Sequence, residues 1–337
     1  FNVGLDFGFW KNRLNFSANY YYKKTKDLLQ NVSIPLSTGY STMWTNFGHV
    51  TNKGFEFTAN VVAIDKKDWG LNFDGNISFN QNRIGGLNAD QYATQLWYGA
   101  NEVFLQRNGL PIGTIYGYVE DGFYDNIAEV RADPIYSKVS NEEAQRMIGE
   151  IKYVDRNGDN QITTEDRAVI GDTNPDFIYG LNANFRWKKL SLGLFFQGSQ
   201  GNDIFNGNLT MIGMNSIGNV TREAYESRWT PENAANAKWP RITTAMTRDM
   251  KFSDRYVEDG SYFRLKTINL NYNFGSVCKG ITDLSVFGTI TNVFTLTNYS
   301  WFDPDVNAFG SDASRRGVDI FSYPNSRTYT IGFKLTL

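Results

Sequence analysis

Three observations predict an all-β fold, a transmembrane antiparallel β-barrel. Apolar residues alternate with small polar ones along many short stretches, aromatics are abundant, and the connections between stretches are alternately short and long. Aromatic residues make up 15% of the 337 positions, with 19 Tyr and 25 Phe, yet the mean hydropathy is −0.42. A membrane-spanning helix needs about 18 or more apolar residues in a row, and the longest such run is Val61 to Ile64. Helical spanning is therefore excluded. A barrel needs only every second residue to be apolar, so a polar average and girdles of aromatics suit it.

The elements follow in order. Phe1, Val3, Leu5, Phe7 and Phe9 alternate with Asn2, Gly4, Asp6 and Gly8, the period of a strand with one greasy and one polar face. No leader precedes Phe1, and the opening strand is expected to be a cut rather than a natural start. After a turn at residues 11–13 come Leu14, Phe16, Ala18, Tyr20 and Tyr22. Phe55, Phe57, Ala59, Val61 and Ala63 form the next apolar row, and Trp69, Leu71, Phe73, Ile77 and Phe79 the one after it; these two make a hairpin. A second hairpin joins Phe177, Tyr179, Leu181, Ala183, Phe185 and Trp187 to Leu190, Leu192, Leu194 and Phe196 across Lys188-Lys189. Further strands read at residues 262–274, 284–293 and 327–337. In the first of these, apolar parity slips between Leu265 and Ile268, as a bulge would make it. The polar partner positions are mostly Asn, Gly, Ser, Thr and Asp, which suit a wet lumen, so the apolar face is expected to meet lipid.

Short turns fall at about residues 11–13, 65–68, 188–189 and 275–282, and long segments at about 25–53, 82–174, 198–260 and 294–326. Outer-membrane barrels have short periplasmic turns and long extracellular loops, which gives every connection a side. About nine strands result. Nine strands with two free edges cannot sit in lipid, because unpaired backbone groups there cost several kcal/mol each. The chain is thus expected to be the C-terminal part of one larger barrel domain, with early strands absent. A soluble sandwich or propeller accommodates loops of this length poorly.

Composition excludes other classes. A formal charge of −2 with scattered Lys and Arg offers no basic face for nucleic acid. One cysteine, Cys278, and one histidine, His49, read as structural. Adjacent acids such as Glu120 with Asp121, or Asp303 with Asp305, read as solvated or structural, since no nucleophile, base or phosphate loop accompanies them. The chain is not expected to be an enzyme.

Two loop features carry candidate chemistry. Residues 155–166 place Asp155, Asn157, Asp159, the Gln161 carbonyl and Asp166 at positions 1, 3, 5, 7 and 12 of an EF-hand-like Ca2+ loop. Asn160 stands where Gly makes the sharp turn, Asp166 replaces the longer Glu, and Glu165 is a substitute ligand. An ion-free turn held by Asx hydrogen bonds uses the same side chains. Trp44, Trp97, Tyr98, Trp301, Phe302 and Phe309 lie in the long segments, where their faces could stack on sugars or pack on peptides; loop packing or partner contact is the plainer reading.

A run of words extends through nearly the whole chain. It begins with Asn52-Lys53-Gly54-Phe55-Glu56-Phe57-Thr58 and Gly109-Leu110-Pro111-Ile112-Gly113, then Tyr116-Gly117-Tyr118 and Asp121-Gly122-Phe123-Tyr124. It continues with Tyr153-Val154-Asp155-Arg156-Asn157-Gly158-Asp159, Asn174-Pro175-Asp176-Phe177 and Arg228-Trp229-Thr230-Pro231-Glu232-Asn233. Asp259-Gly260-Ser261-Tyr262-Phe263-Arg264-Leu265, Asn292-Val293-Phe294-Thr295-Leu296-Thr297 and Asp303-Pro304-Asp305-Val306 complete it. In this order the words resemble the SusC/RagA family of TonB-dependent outer-membrane transporters. The resemblance implies a barrel of about 22 strands closed by an N-terminal plug, and a SusD-like surface lipoprotein that captures oligosaccharides or peptides. It also implies import energised through TonB, by way of an N-terminal region this sequence lacks. A surface-exposed carbohydrate-binding or adhesin protein without transport is the alternative.

Overall fold

A computed structural model gives the fold and describes all residues except 34, 35, 41, 47, 94–102, 213–218 and 244–250. Nine strands form one sheet: Asn2–Phe9 (β1), Leu14–Lys26 (β2), His49–Asp65 (β3), Trp69–Gly85 (β4), Phe177–Trp187 (β5), Leu190–Gln200 (β6), Tyr262–Gly275 (β7), Asp283–Thr297 (β8) and Thr328–Thr336 (β9). Each pairs antiparallel with the next in sequence, so the sheet is a pure meander.

Register shows why the alternation matters. One row of paired residues runs Leu5, Ala18, Phe57, Ile77, Tyr179, Gly198, Phe263 and Leu296 across β1 to β8. The next row, one residue on, runs Asp6, Ser17, Thr58, Asn76, Gly180, Gln197, Arg264 and Thr295. A slip of one residue would exchange the two faces. The glycine in the apolar row is covered by the Tyr179 ring, which fills the place a Cβ on Gly198 would take. On the apolar face Phe333 is 73% and Ile331 86% exposed, a surface that lipid satisfies and water does not.

The expected bulge is present: Lys266 has no partner between Leu265, opposite Phe196, and Thr267, opposite Phe195. A second one was not expected. Val62 pairs with Asn72 and Ile64 with Leu71, so Ala63 is the extra residue and Ile64 joins the apolar row. β2 and β3 also run further than the apolar alternation does, which shortens the first long connection to residues 27–48.

Most of the buried core lies in the long connections, and Val50 and Ile84, at the loop-side ends of β3 and β4, pack with Leu87 in a smaller cluster. Val103, Phe104, Ile115, Phe205, Tyr256 and Val318 form one cluster drawn from three of them. Ala168–Asp172, Thr114–Gly117, Phe104–Gln106 and Gln91–Ala93 make a small sheet, and Asp203–Asn206 is flanked by Val257–Asp259 and, in parallel, by Val318–Asp319. Two short helices, Ile127–Ala132 (α1) and Asn141–Met147 (α2), start at Asn126 and Ser140, whose side chains accept from the third amide beyond. They enclose Tyr124, Val130, Ala144 and Met147. The long connections thus build a folded layer over one end of the barrel wall, while the other end carries only turns.

Candidate functional site

Polar knots fasten the loop layer to the wall. Asn82, near the end of β4, accepts from the Ile112 amide at 2.7 Å and donates to Asn174 Oδ1 at 2.8 Å, while Asn174 donates to the Ile112 carbonyl at 2.6 Å. This ties an interior point of the longest connection, Ile112, and its far end, Asn174, to one strand. Arg264 on β7 is 1% exposed and donates to Asp303 Oδ1 at 2.5 Å and to Thr295 Oγ1 at 2.9 Å, with Asp305 Oδ2 at 3.7 Å. Asn325 donates to the other Asp303 oxygen at 2.7 Å, so the last long connection is held at two points. Glu120 is nearly enclosed between Arg255 and Ser253. The acids Glu120 and Asp303 are therefore structural, and Asp121 pairs with Lys152 at 2.7 Å. His49 lies across from Gly85, with its Nε2 2.5 Å from where a Cβ on that glycine would be, a packing role.

Residues 155–166 close on themselves. Asp155 accepts from the amides of Gly158 (2.8 Å) and Asn160 (2.9 Å), Asn157 from Asp159 (2.9 Å), and Asp159 from Gln161 (2.8 Å). Asn160 takes the left-handed φ of 61° that the loop turn needs. Asp166 is fully buried and accepts from Arg156 at 2.9 Å and Thr163 at 2.7 Å, forming a capping box with Thr163. Burial alone would raise its pKa, but the amides of Thr163, Arg156 and Asn157 outweigh that and hold it below the ordinary carboxylate value. Glu165 stays exposed, 3.3 Å from Asn157 Nδ2. Among the described residues no group of three or more acidic, histidine or cysteine side chains is arranged around a metal position. Asp166 is a loop closer here, while Asp155, Asn157 and Asp159 keep further lone pairs.

Of the six aromatics, Trp97 and Tyr98 lie outside the described residues, and Trp44 sits in the strand Thr42–Asn46 opposite Asn31. Trp301 and Phe302 stand together, ring centroids 5.1 Å apart. Phe302 is 64% exposed, whereas the indole N–H of Trp301 is enclosed without an acceptor among the described residues. Phe309 instead packs on the main loop core beneath the Arg315 guanidinium, 4.2 Å from its centroid. Among the described residues the structure brings together one pair of these aromatics, Trp301 with Phe302, and gives Phe309 a packing role.

Arg264 with Asp303 and Asn82 with Asn174 had no signal as sites in the sequence. Each pair joins a wall strand to a loop residue far along the chain, and only Asp303 had been singled out, as one of two neighbouring acids.

Comparisons place these features. The sequence model of the family described as "TonB dependent receptor-like, beta-barrel" matches residues 1–195. TonB-dependent receptor P3 of Formosa agariphila is 34% identical over 99% of the chain and 33% of its own length. TonB-dependent receptor SusC of Bacteroides thetaiotaomicron is 26% identical over 99% of the chain and 31% of its own length. A solved structure titled as that of the RagAB peptide transporter aligns over 99% of the chain and 34% of its own, with a TM-score of 0.78 at 21% identity. The chain spans about a third of the length of the curated relatives it matches.

Proposed function

The chain belongs to the TonB-dependent receptor β-barrel family, within its SusC/RagA group, as an outer-membrane protein, and on that premise we propose that the protein containing it imports oligosaccharides or peptides through the outer membrane. A SusD-like surface lipoprotein would deliver them and TonB would energise the step, through chain preceding this part of the barrel. The observation that carries the reading is the sidedness of the fold. Every short connection lies at one end of the wall, and every long one contributes to, or extends toward, the layer at the other. A transporter needs such a vestibule at the outer mouth of its barrel.

Within the vestibule, the Trp301–Phe302 pair is the aromatic surface we assign to substrate contact, by stacking on a sugar ring or packing on a peptide side chain. For residues 155–166 we propose closure by backbone amides, with calcium as a weak added ligand of Asp155, Asn157 and Asp159 at a dissociation constant on the order of 0.1 to 1 mM. A strain lacking the full-length gene should lose uptake of its oligosaccharide or peptide, and removing TonB should abolish the same uptake. Surface binding that persists while uptake proves independent of TonB would favour an adhesin or carbohydrate-binding protein and defeat the import reading.

A further inference from the structure

The end of the wall opposite the loop layer carries a pattern that import does not use. Its first three turns each set lysine within three positions of a tryptophan: Lys11 follows Trp10, Lys66 and Lys67 precede Trp69, and Lys188 follows Trp187. Trp10 is 74% exposed, and the rings of Trp69 and Trp187 meet at a tilt, centroids 5.8 Å apart. The Lys188 ammonium lies 6.0 Å from the Trp187 ring. The fourth turn contributes Lys279.

The other cations at this end serve the fold. Arg13 donates to the carbonyls of Val62 and Ala63 at 3.1 and 2.8 Å, Arg186 to those of Lys67 and Lys66 at 3.1 and 3.0 Å, and Lys189 to that of Phe274 at 2.8 Å. They staple neighbouring turns together and hold the rim in place. Lys11, Lys66, Lys67, Lys188 and Lys279 are exposed and make no ion pair among the described residues. The acids at this end are Asp65 and Asp68 beside Lys66-Lys67, and Asp283 at the start of β8, so the balance is basic.

We propose that this rim binds the anionic headgroups of glycerophospholipids in the inner leaflet. Exposed tryptophans on a barrel's lipid side sit at headgroup depth. A lysine within three residues of such a ring extends its ammonium to the phosphate level, where clustered basic residues attract anionic lipid. Four of the five lysines flank the rim tryptophans in sequence, and the Lys188 ammonium lies over the Trp187 ring, which favours a membrane surface over a periplasmic protein. The proposal rests on the outer-membrane barrel reading and goes beyond the import function.

The test uses the full-length protein in phosphatidylcholine vesicles carrying trace spin-labelled phosphatidylglycerol or phosphatidylcholine, and measures the lipid held at the protein surface. Wild type should favour the anionic label several-fold, and the preference should fall away in about 1 M salt, where charges are screened within about 3 Å. Replacing the five lysines with Gln should bring it close to one, replacing them with Arg should keep it, and Lys152→Gln in the loop layer should leave it unchanged. Heat-modifiable migration shows that each variant is folded. Insertion without anionic preference, or a preference that survives the five Gln substitutions, would overturn the proposal alone, whatever periplasmic protein the rim retains. A protein that fails to enter vesicles would overturn the barrel reading as well.

Discussion

At the scale of residues, the loop layer depends on a few buried charges whose partners come from distant segments. Arg264 and Asp303 are both almost fully enclosed, so removing one leaves the other desolvated without compensation. Asp303→Ala should destabilise the junction by about 3 to 5 kcal/mol, read as proteolysis within residues 298–327 while β1 to β9 stay resistant. The double replacement Arg264→Met with Asp303→Leu should cost less, because no unpaired charge remains. Asp166 gives a pH dependence with a definite sign. Its folded pKa lies below the ordinary 3.8, so its ionised form stabilises the loop above that value, and the stabilisation is lost as pH falls through the folded pKa. Protease protection of residues 155–166 should therefore hold at neutral pH and fail only in strong acid. Asp166→Asn should weaken it at neutral pH, whereas Asp159→Ala should chiefly reduce any calcium-dependent part.

At the scale of elements, the two faces of the wall carry different costs. Leu192 pairs with Phe185 and Leu270, and Phe333 with Val286, all in the apolar rows. Leu192→Arg or Phe333→Arg should cost about 2 to 4 kcal/mol near the membrane midplane, and Asn269→Arg or Thr330→Arg on the lumen face should cost less. Folding titrations into lipid vesicles measure this, and equal costs on both faces would contradict the register. Nearly all of this element structure was legible, because a strand between lipid and water must alternate. It became illegible where that constraint ends. The bulge at Lys266 showed as a break in parity, but the one at Ala63 is hidden because Val62, Ala63 and Ile64 are all apolar. The ends of β2 and β3 carry Lys23, Lys24, Lys26, Asn52 and Lys53, with no greasy face to read. The loop layer was legible only as an order of motifs. Its contacts join residues such as 82 with 174, 120 with 255 and 264 with 303, and no local period reports such pairs. Of the candidate site, Trp301 and Phe302 were readable as neighbours in sequence, whereas the packing role of Phe309 needed the fold.

At the scale of the whole molecule, the proposed import requires sidedness: turns toward the periplasm and the folded loop layer toward the outside. Import, partner docking and the basic inner rim all inherit that orientation. Cys278, the single cysteine of the chain, lies exposed in the turn between β7 and β8, and Glu232 is exposed in the loop layer. The most direct measurement is labelling of intact cells with a membrane-impermeant maleimide. It compares the protein carrying Cys278 with a Cys278→Ser protein carrying Glu232→Cys. Sidedness predicts prompt labelling at position 232 on intact cells and labelling of Cys278 only after the outer membrane is permeabilised. Prompt labelling of Cys278 on intact cells, with position 232 silent until permeabilisation, would contradict it.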